Sequence, residues 1–178
     1  MTRLAVGGLG VGLLLMMAVG AMGDVKVDVG HNDGDHATAE FKFKEVPAPV
    51  KTSAATKATF TIVDGVRDAN GGGVDVLHDG KLPGEADEPT SNFFFNAGTD
   101  GGRILIDLGS SISVKQVNTY SWHTDARAPQ VYTLYAPDGT ATGFDAKPGK
   151  DVDPVKAGWK LVAKVDTRPK EGEQGGQY

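Results

Sequence analysis

Extended chain in short pieces is what this sequence predicts: an all-β fold, a sandwich or a barrel. Three observations point there. No segment carries a sustained helical apolar period, whereas runs alternating between apolar and polar residues recur along the chain. Clusters of turn-forming residues separate those runs: Asp64-Gly65, Asn70-Gly71-Gly72-Gly73, Asp79-Gly80, Asp100-Gly101-Gly102 and Pro137-Asp138-Gly139. Many short strands joined by tight turns pack most readily as two layers.

The elements follow in chain order. Val25, Val27 and Val29 alternate with polar residues, and Phe41 and Phe43 alternate with lysines, so both stretches read as strands. Pro47 to Ala58 is rich in Pro, Ala, Thr and Ser and reads as a linker. The run through Phe60 and Ile62 resumes the alternation. Phe93 and Phe95 fall on one face of an extended segment and Phe94 on the other, which suits burial between two sheets. Ile104, Ile106 and Leu108 mark another strand. Gln130 to Ala136 is β-branched and aromatic on both faces, as in a buried central strand. Helix is confined to short turns, such as one near Asp153 to Ala157. Trp159, Leu161, Ala163 and Val165 define a last strand, and the Gly-, Glu- and Gln-rich tail from Pro169 to Tyr178 reads as loose.

The chain has 178 residues, which at roughly 150 residues per domain allows one domain. Its 25 glycines follow no collagen period. There is no cysteine, which excludes disulfide staples, thiolate metal sites and a cysteine nucleophile. A net charge of −5 argues against nucleic acid as a partner.

Residues 1–23 differ from the rest. Arg3 precedes an apolar stretch centred on Leu13-Leu14-Leu15-Met16-Met17, closed by Ala21-Met22-Gly23. This is the pattern of a secretory signal peptide cleaved before Asp24. It implies a secreted, extracellular or periplasmic protein with no membrane span after cleavage; a retained anchor is the alternative. Residues 24–58 then form N-terminal strands and a linker, and 59–178 the β-sandwich.

Between about Val74 and Thr167 the motifs fall in a recognisable order. Leu77-His78-Asp79-Gly80 comes first, then Arg103-Ile104-Leu105-Ile106-Asp107-Leu108-Gly109, then Ile112 to Trp122. Arg127 and Pro129 precede Val131-Tyr132-Thr133-Leu134-Tyr135, followed by Pro137-Asp138-Gly139 and a strand opened by Gly158-Trp159. The set resembles the discoidin, or coagulation-factor C-type, domain of the galactose-binding-like superfamily. The resemblance implies a jelly-roll β-sandwich that binds glycans, lipids or protein surfaces through loops at one end. It also implies further strands after the tryptophan strand. Either the sandwich is incomplete at its C-terminus, or the early strands from Val25 to Lys44 take their place. Lys81–Pro89 and Ala141–Ala157 are longer and more polar than the turns of that family.

Chemistry concentrates in few places. Trp122, His123, Asp125 and Arg127 supply an aromatic face with forked donors and acceptors within one loop, the set a sugar site needs. With Lys81–Pro89 they form the expected carbohydrate or cell-surface polymer site; the alternative is a structural Trp122 and a locally paired Arg127. Asp79 falls where the resemblance implies a structural calcium, with Asp87 and Glu88 close in sequence. A calcium-loop register over His31 to Glu40 fails because Val29 occupies the first ligand position. His31 and His36 could hold zinc or nickel, but no third ligand is evident. Gly71–Gly73 lack the lysine and helix of a phosphate loop, and no serine-hydrolase or metalloprotease motif occurs. The expectation is therefore a secreted, non-catalytic binding module. The alternatives are an adhesive envelope protein, and a glycan-active enzyme with two carboxylates in a cleft.

Overall fold

The structure is a computed structural model that describes residues 25–137 and 141–178. The leader and the tip of the Pro137-Asp138-Gly139 turn lie outside the described residues. The described chain is mostly extended, with small antiparallel sheets and only single turns of 3-10 helix. Its strands are β1 (Thr59–Asp64), β2 (Arg103–Asp107), β3 (Trp122–His123), β4 (Val131–Pro137), β5 (Trp159–Asp166) and β6 (Gly176–Gln177). They pair as β1-β2, β3-β6 and β4-β5, each a two-stranded antiparallel ladder.

The regular ladders form where alternation is flanked by turns. In β1-β2, Phe60 faces Ile106 and Ile62 faces Ile104, with a bulge between Ile62 and Asp64. Phe60 stacks on His78 with centroids 4.3 Å apart. Arg103 leaves β2 to bind the long Ala141–Ala157 segment. Its guanidinium donates to the carbonyls of Pro148 (2.9 Å), Gly149 (2.7 Å), Val152 (2.8 Å) and Lys150 (3.0 Å). A fork of donors on one side chain thus folds that polar segment around itself. In the same segment, the stretch near Asp153 to Ala157 closes as a turn, with the Ala157 amide donating to the Asp153 carbonyl at 3.1 Å.

Four expectations change. Val25–Val29 and Phe41–Phe43 alternate but join no ladder. Alternation fits a strand, but a strand also needs a partner edge. Gln130–Ala136 becomes β4, but in a two-stranded ladder its residues are half-buried or exposed, and Val131 is 59% exposed. Phe93–Phe95 is not sandwiched between sheets. Phe93 and Phe95 do share a face, meeting edge to face with centroids 5.0 Å apart. The tail is not loose: Gly176, Gln177 and Tyr178 are buried.

The core explains that last change. Phe41 is fully buried and meets Trp122 (5.8 Å, 84°) and Tyr120 (6.2 Å, 87°) edge to face. Asn32 and Gln177 exchange backbone hydrogen bonds of 3.1 and 2.8 Å. Gly176 makes that approach possible, because at φ 116° a Cβ would collide with the Asn32 carbonyl. The Gln177 amide, 0% exposed, donates to the Thr38 carbonyl (2.6 Å) and accepts from Asn32 Nδ2 (3.2 Å) and the Thr38 amide (3.3 Å). A buried amide with three of its four hydrogen bonds made stabilises the tail where no apolar run could.

Candidate functional site

The loop after β3 is held from below by Asn92. Its Nδ2 donates to the carbonyls of Trp122 (3.0 Å) and Glu88 (3.1 Å), tying β3 to the end of the Lys81–Pro89 insertion. A single turn of 3-10 helix, Asp125–Arg127, then carries the chain back toward β4, closed by the Ala128 amide on the Asp125 carbonyl at 3.2 Å. Asp125 sits at φ 52°, a conformation costly for a residue with a Cβ. Gly175 of the tail lies beneath it, with space for a Cβ only 3.1 Å from the Asp125 amide nitrogen.

The structure divides the four loop residues. Trp122 is 8% exposed and its ring faces Phe41, so it lies in the core and offers no open platform for a sugar ring. Its Nε1 is buried without a hydrogen-bond partner among the described residues. His123 is 2% exposed, packed edge to face on Phe94 at 5.6 Å. Asp125 and Arg127 are exposed, and their side chains make no hydrogen bond or ion pair among the described residues. Two of the four are therefore presented to solvent and two support them from within.

One further carboxylate joins them. Asp87, from the insertion, places Oδ1 3.6 Å from His123 Nε2, while His123 Nδ1 lies 3.0 Å from the Thr124 carbonyl. Nδ1 also lies 3.2 Å from Thr124 Oγ1, whereas the buried Nε2 has no hydrogen-bond partner among the described residues. Asp87 and Asn92 are the residues that sequence reasoning missed as a pair holding this site. Nothing local links Asn92 to Trp122 or Asp87 to His123, because each pair is more than twenty-five residues apart.

The candidate metal ligands disperse. Asp79 accepts the Lys81 amide at 2.8 Å, capping the turn that Gly80 makes at φ 73°. It borders an open cleft that also contains Asp75, His78 and the ammonium-bearing Lys51 and Lys81. Glu88 accepts the Gly84 amide at 2.6 Å, a bond that holds its carboxyl below the usual carboxylate range. Asp33 caps its own turn through the amides of Asp35 and His36 and the His36 ring (2.6 Å). His31 instead stacks on Tyr178 and meets the Gly175 carbonyl at 3.0 Å. Among the described residues no group of three or more His, Asp or Glu side chains could hold a metal ion. No helix among them is long and apolar enough to cross a membrane.

No protein-family model matches the chain, and no curated protein or solved structure is significantly similar to it.

Proposed function

We propose that this chain is a secreted, non-catalytic binding module, a discoidin-like jelly-roll β-sandwich that recognises carbohydrate or a cell-surface polymer through loops at one end. The observation that carries the reading is the meeting of two sequence-distant polar loops: Lys81–Pro89 and Thr124–Arg127 come together where Asp87 faces His123. Asp87, Asp125 and Arg127 then offer two acceptors and one forked donor to sugar hydroxyls. With Trp122 inside the core, these polar groups do the recognising at this end, and affinity for a single sugar unit is weak. The turn-capping role of Asp79 and its lysine neighbours leave calcium outside the proposal.

The adhesive alternative is favoured less, because Phe94 is half-buried against His123 and forms no fully exposed apolar patch. Retention of the purified protein on insoluble or immobilised polysaccharides tests the reading. We expect retention by at least one polymer, reduced about tenfold in an Asp125→Ala/Arg127→Ala double variant, as loss of one anchoring contact would give. No retention on any polysaccharide, or retention indifferent to the double variant, would refute it.

A further inference from the structure

Away from the Thr124–Arg127 loop, the second tryptophan of the chain lies in a different setting. Trp159 opens β5, and its Nε1 donates to the Asp145 carbonyl at 2.8 Å, which fixes the plane of the indole. Phe144 lies against it with centroids 5.3 Å apart and planes 44° apart. Gly158, at φ 91°, allows this seating: a Cβ there would come within 2.8 Å of Ala141 Cβ and 3.1 Å of the Phe144 ring. The pair is not sealed off, since Phe144 is 41% exposed. An open cleft of about 530 Å³ runs beside it, lined by Thr142, Lys156, Trp159 and Leu161 among others.

Charge gives the cleft its character. Lys156 and Lys160 line it and no carboxylate does among the described residues, in a chain of net charge −5. Lys156 at the rim has neither an ion pair nor a hydrogen bond among the described residues. An aromatic surface with a fixed plane covers the apolar C–H face of a pyranose. An exposed ammonium attracts a carboxylate or sulfate as a point charge. A cleft open along its length admits one or two units of a continuing polymer, where a closed pocket would admit only a free small molecule.

We propose that the cleft beside Trp159 is a second binding site, for an acidic polysaccharide, with a sugar ring against the indole that Phe144 braces and its anionic group on Lys156. This rests on the binding-module reading above and names the class of polymer. Two sites on one module holding one chain raise the apparent affinity without any new contact at either.

The chain contains two tryptophans, so Trp122→Phe leaves Trp159 as the sole indole reporter. Alginate (carboxylated), dextran sulfate (sulfated) and dextran (neutral) are titrated against this variant by fluorescence, and against the unmodified protein by affinity electrophoresis. We expect alginate or dextran sulfate to change Trp159 emission and dextran not to. Lys156→Glu and Phe144→Ala should each weaken retention on that polymer about tenfold, and added salt should weaken it further. Retention on a polysaccharide with unchanged Trp159 emission, and with Lys156→Glu equal to the unmodified protein, overturns this site but leaves the loop-end reading standing. Absence of retention on every polymer removes both. If Trp122→Phe fails to fold, the Lys156→Glu and Phe144→Ala comparison by electrophoresis decides alone.

Discussion

Among the described residues the longest ladder holds no buried residue, and the shortest holds only buried ones. In β4-β5, Val131 pairs with Asp166 and Pro137 with Trp159 across the full hairpin, yet Val131 is 59% exposed and Leu161 47%. In β3-β6 only Trp122–Gln177 and His123–Gly176 are in register, yet all four residues are buried. A ladder satisfies backbone groups whatever its depth. Depth is supplied by what packs around it: Phe41 meets the Trp122 ring, Phe94 meets the His123 ring, and Asn92 binds the backbone edge of Trp122. Stability should therefore track the aromatic and amide cluster that joins Asn32, Phe41, Trp122 and Gln177, rather than strand length.

The sharpest test of that contrast pairs two substitutions. Phe41→Ala removes a fully buried ring and should cost about 3–5 kcal/mol in urea or thermal unfolding. Val131→Thr in the longest ladder should stay within about 0.5 kcal/mol. Equal effects would mean the hairpin, not the cluster, anchors the fold. Gln177→Ala should come next, at about 1–3 kcal/mol, because it strands the Thr38 amide and carbonyl and removes one of the two acceptors of Asn32 Nδ2. Hydrogen exchange should then rise at both Asn32–Phe41 and β6; exchange confined to the tail would show that the two ends fold independently.

The smallest effect is in pH. Each region has an exposed ion pair, but the two should release differently. Arg168 holds the Asp166 carboxyl down to about 2 by a direct hydrogen bond at the end of β5. Its contribution is present above the usual 3.8 and is lost only as pH falls toward that lower value. Asp33 raises His36 above its usual 6.5, again chiefly through the hydrogen bond between them. That contribution is complete below 6.5 and disappears as pH climbs through the raised value. Asp33 is itself lowered, so this turn also loosens in acid. NMR titration should place the His36 midpoint above 6.5 while Arg168 stays unchanged across it. A normal His36 midpoint would remove the pair. Both groups are solvent-exposed, so global stability should barely move.

Sequence reasoning reached β1, β2 and β5 because each alternates in polarity, and β4 from its β-branched and aromatic run, all bounded by turn residues that act locally. The same reasoning overread Val25–Val29. Lys26 and Asp28 do fall on one side there and pair at 2.7 Å, but no neighbouring edge receives the backbone. It underread Gly175–Tyr178, whose burial depends on one glutamine amide matched to carbonyls and amides far away in sequence. At the candidate site, exposed Asp125 and Arg127 were legible as polar loop residues. The depth of Trp122 was not, since a tryptophan at a strand end can face either way, and only Phe41 decides which.

What the amino-acid order determined here is conformational: short extended segments, the turns between them, the absence of α-helix among the described residues, and a polar loop after Trp122. Those choices depend on a residue and its near neighbours. What tertiary structure alone decided is which segments find partners: that the tail is buried against Asn32, that Asp87 faces His123, and that one tryptophan lies in the core while the other borders a cleft. Such pairings join residues far apart in the chain, and their free energy comes from desolvated contacts that no local window contains.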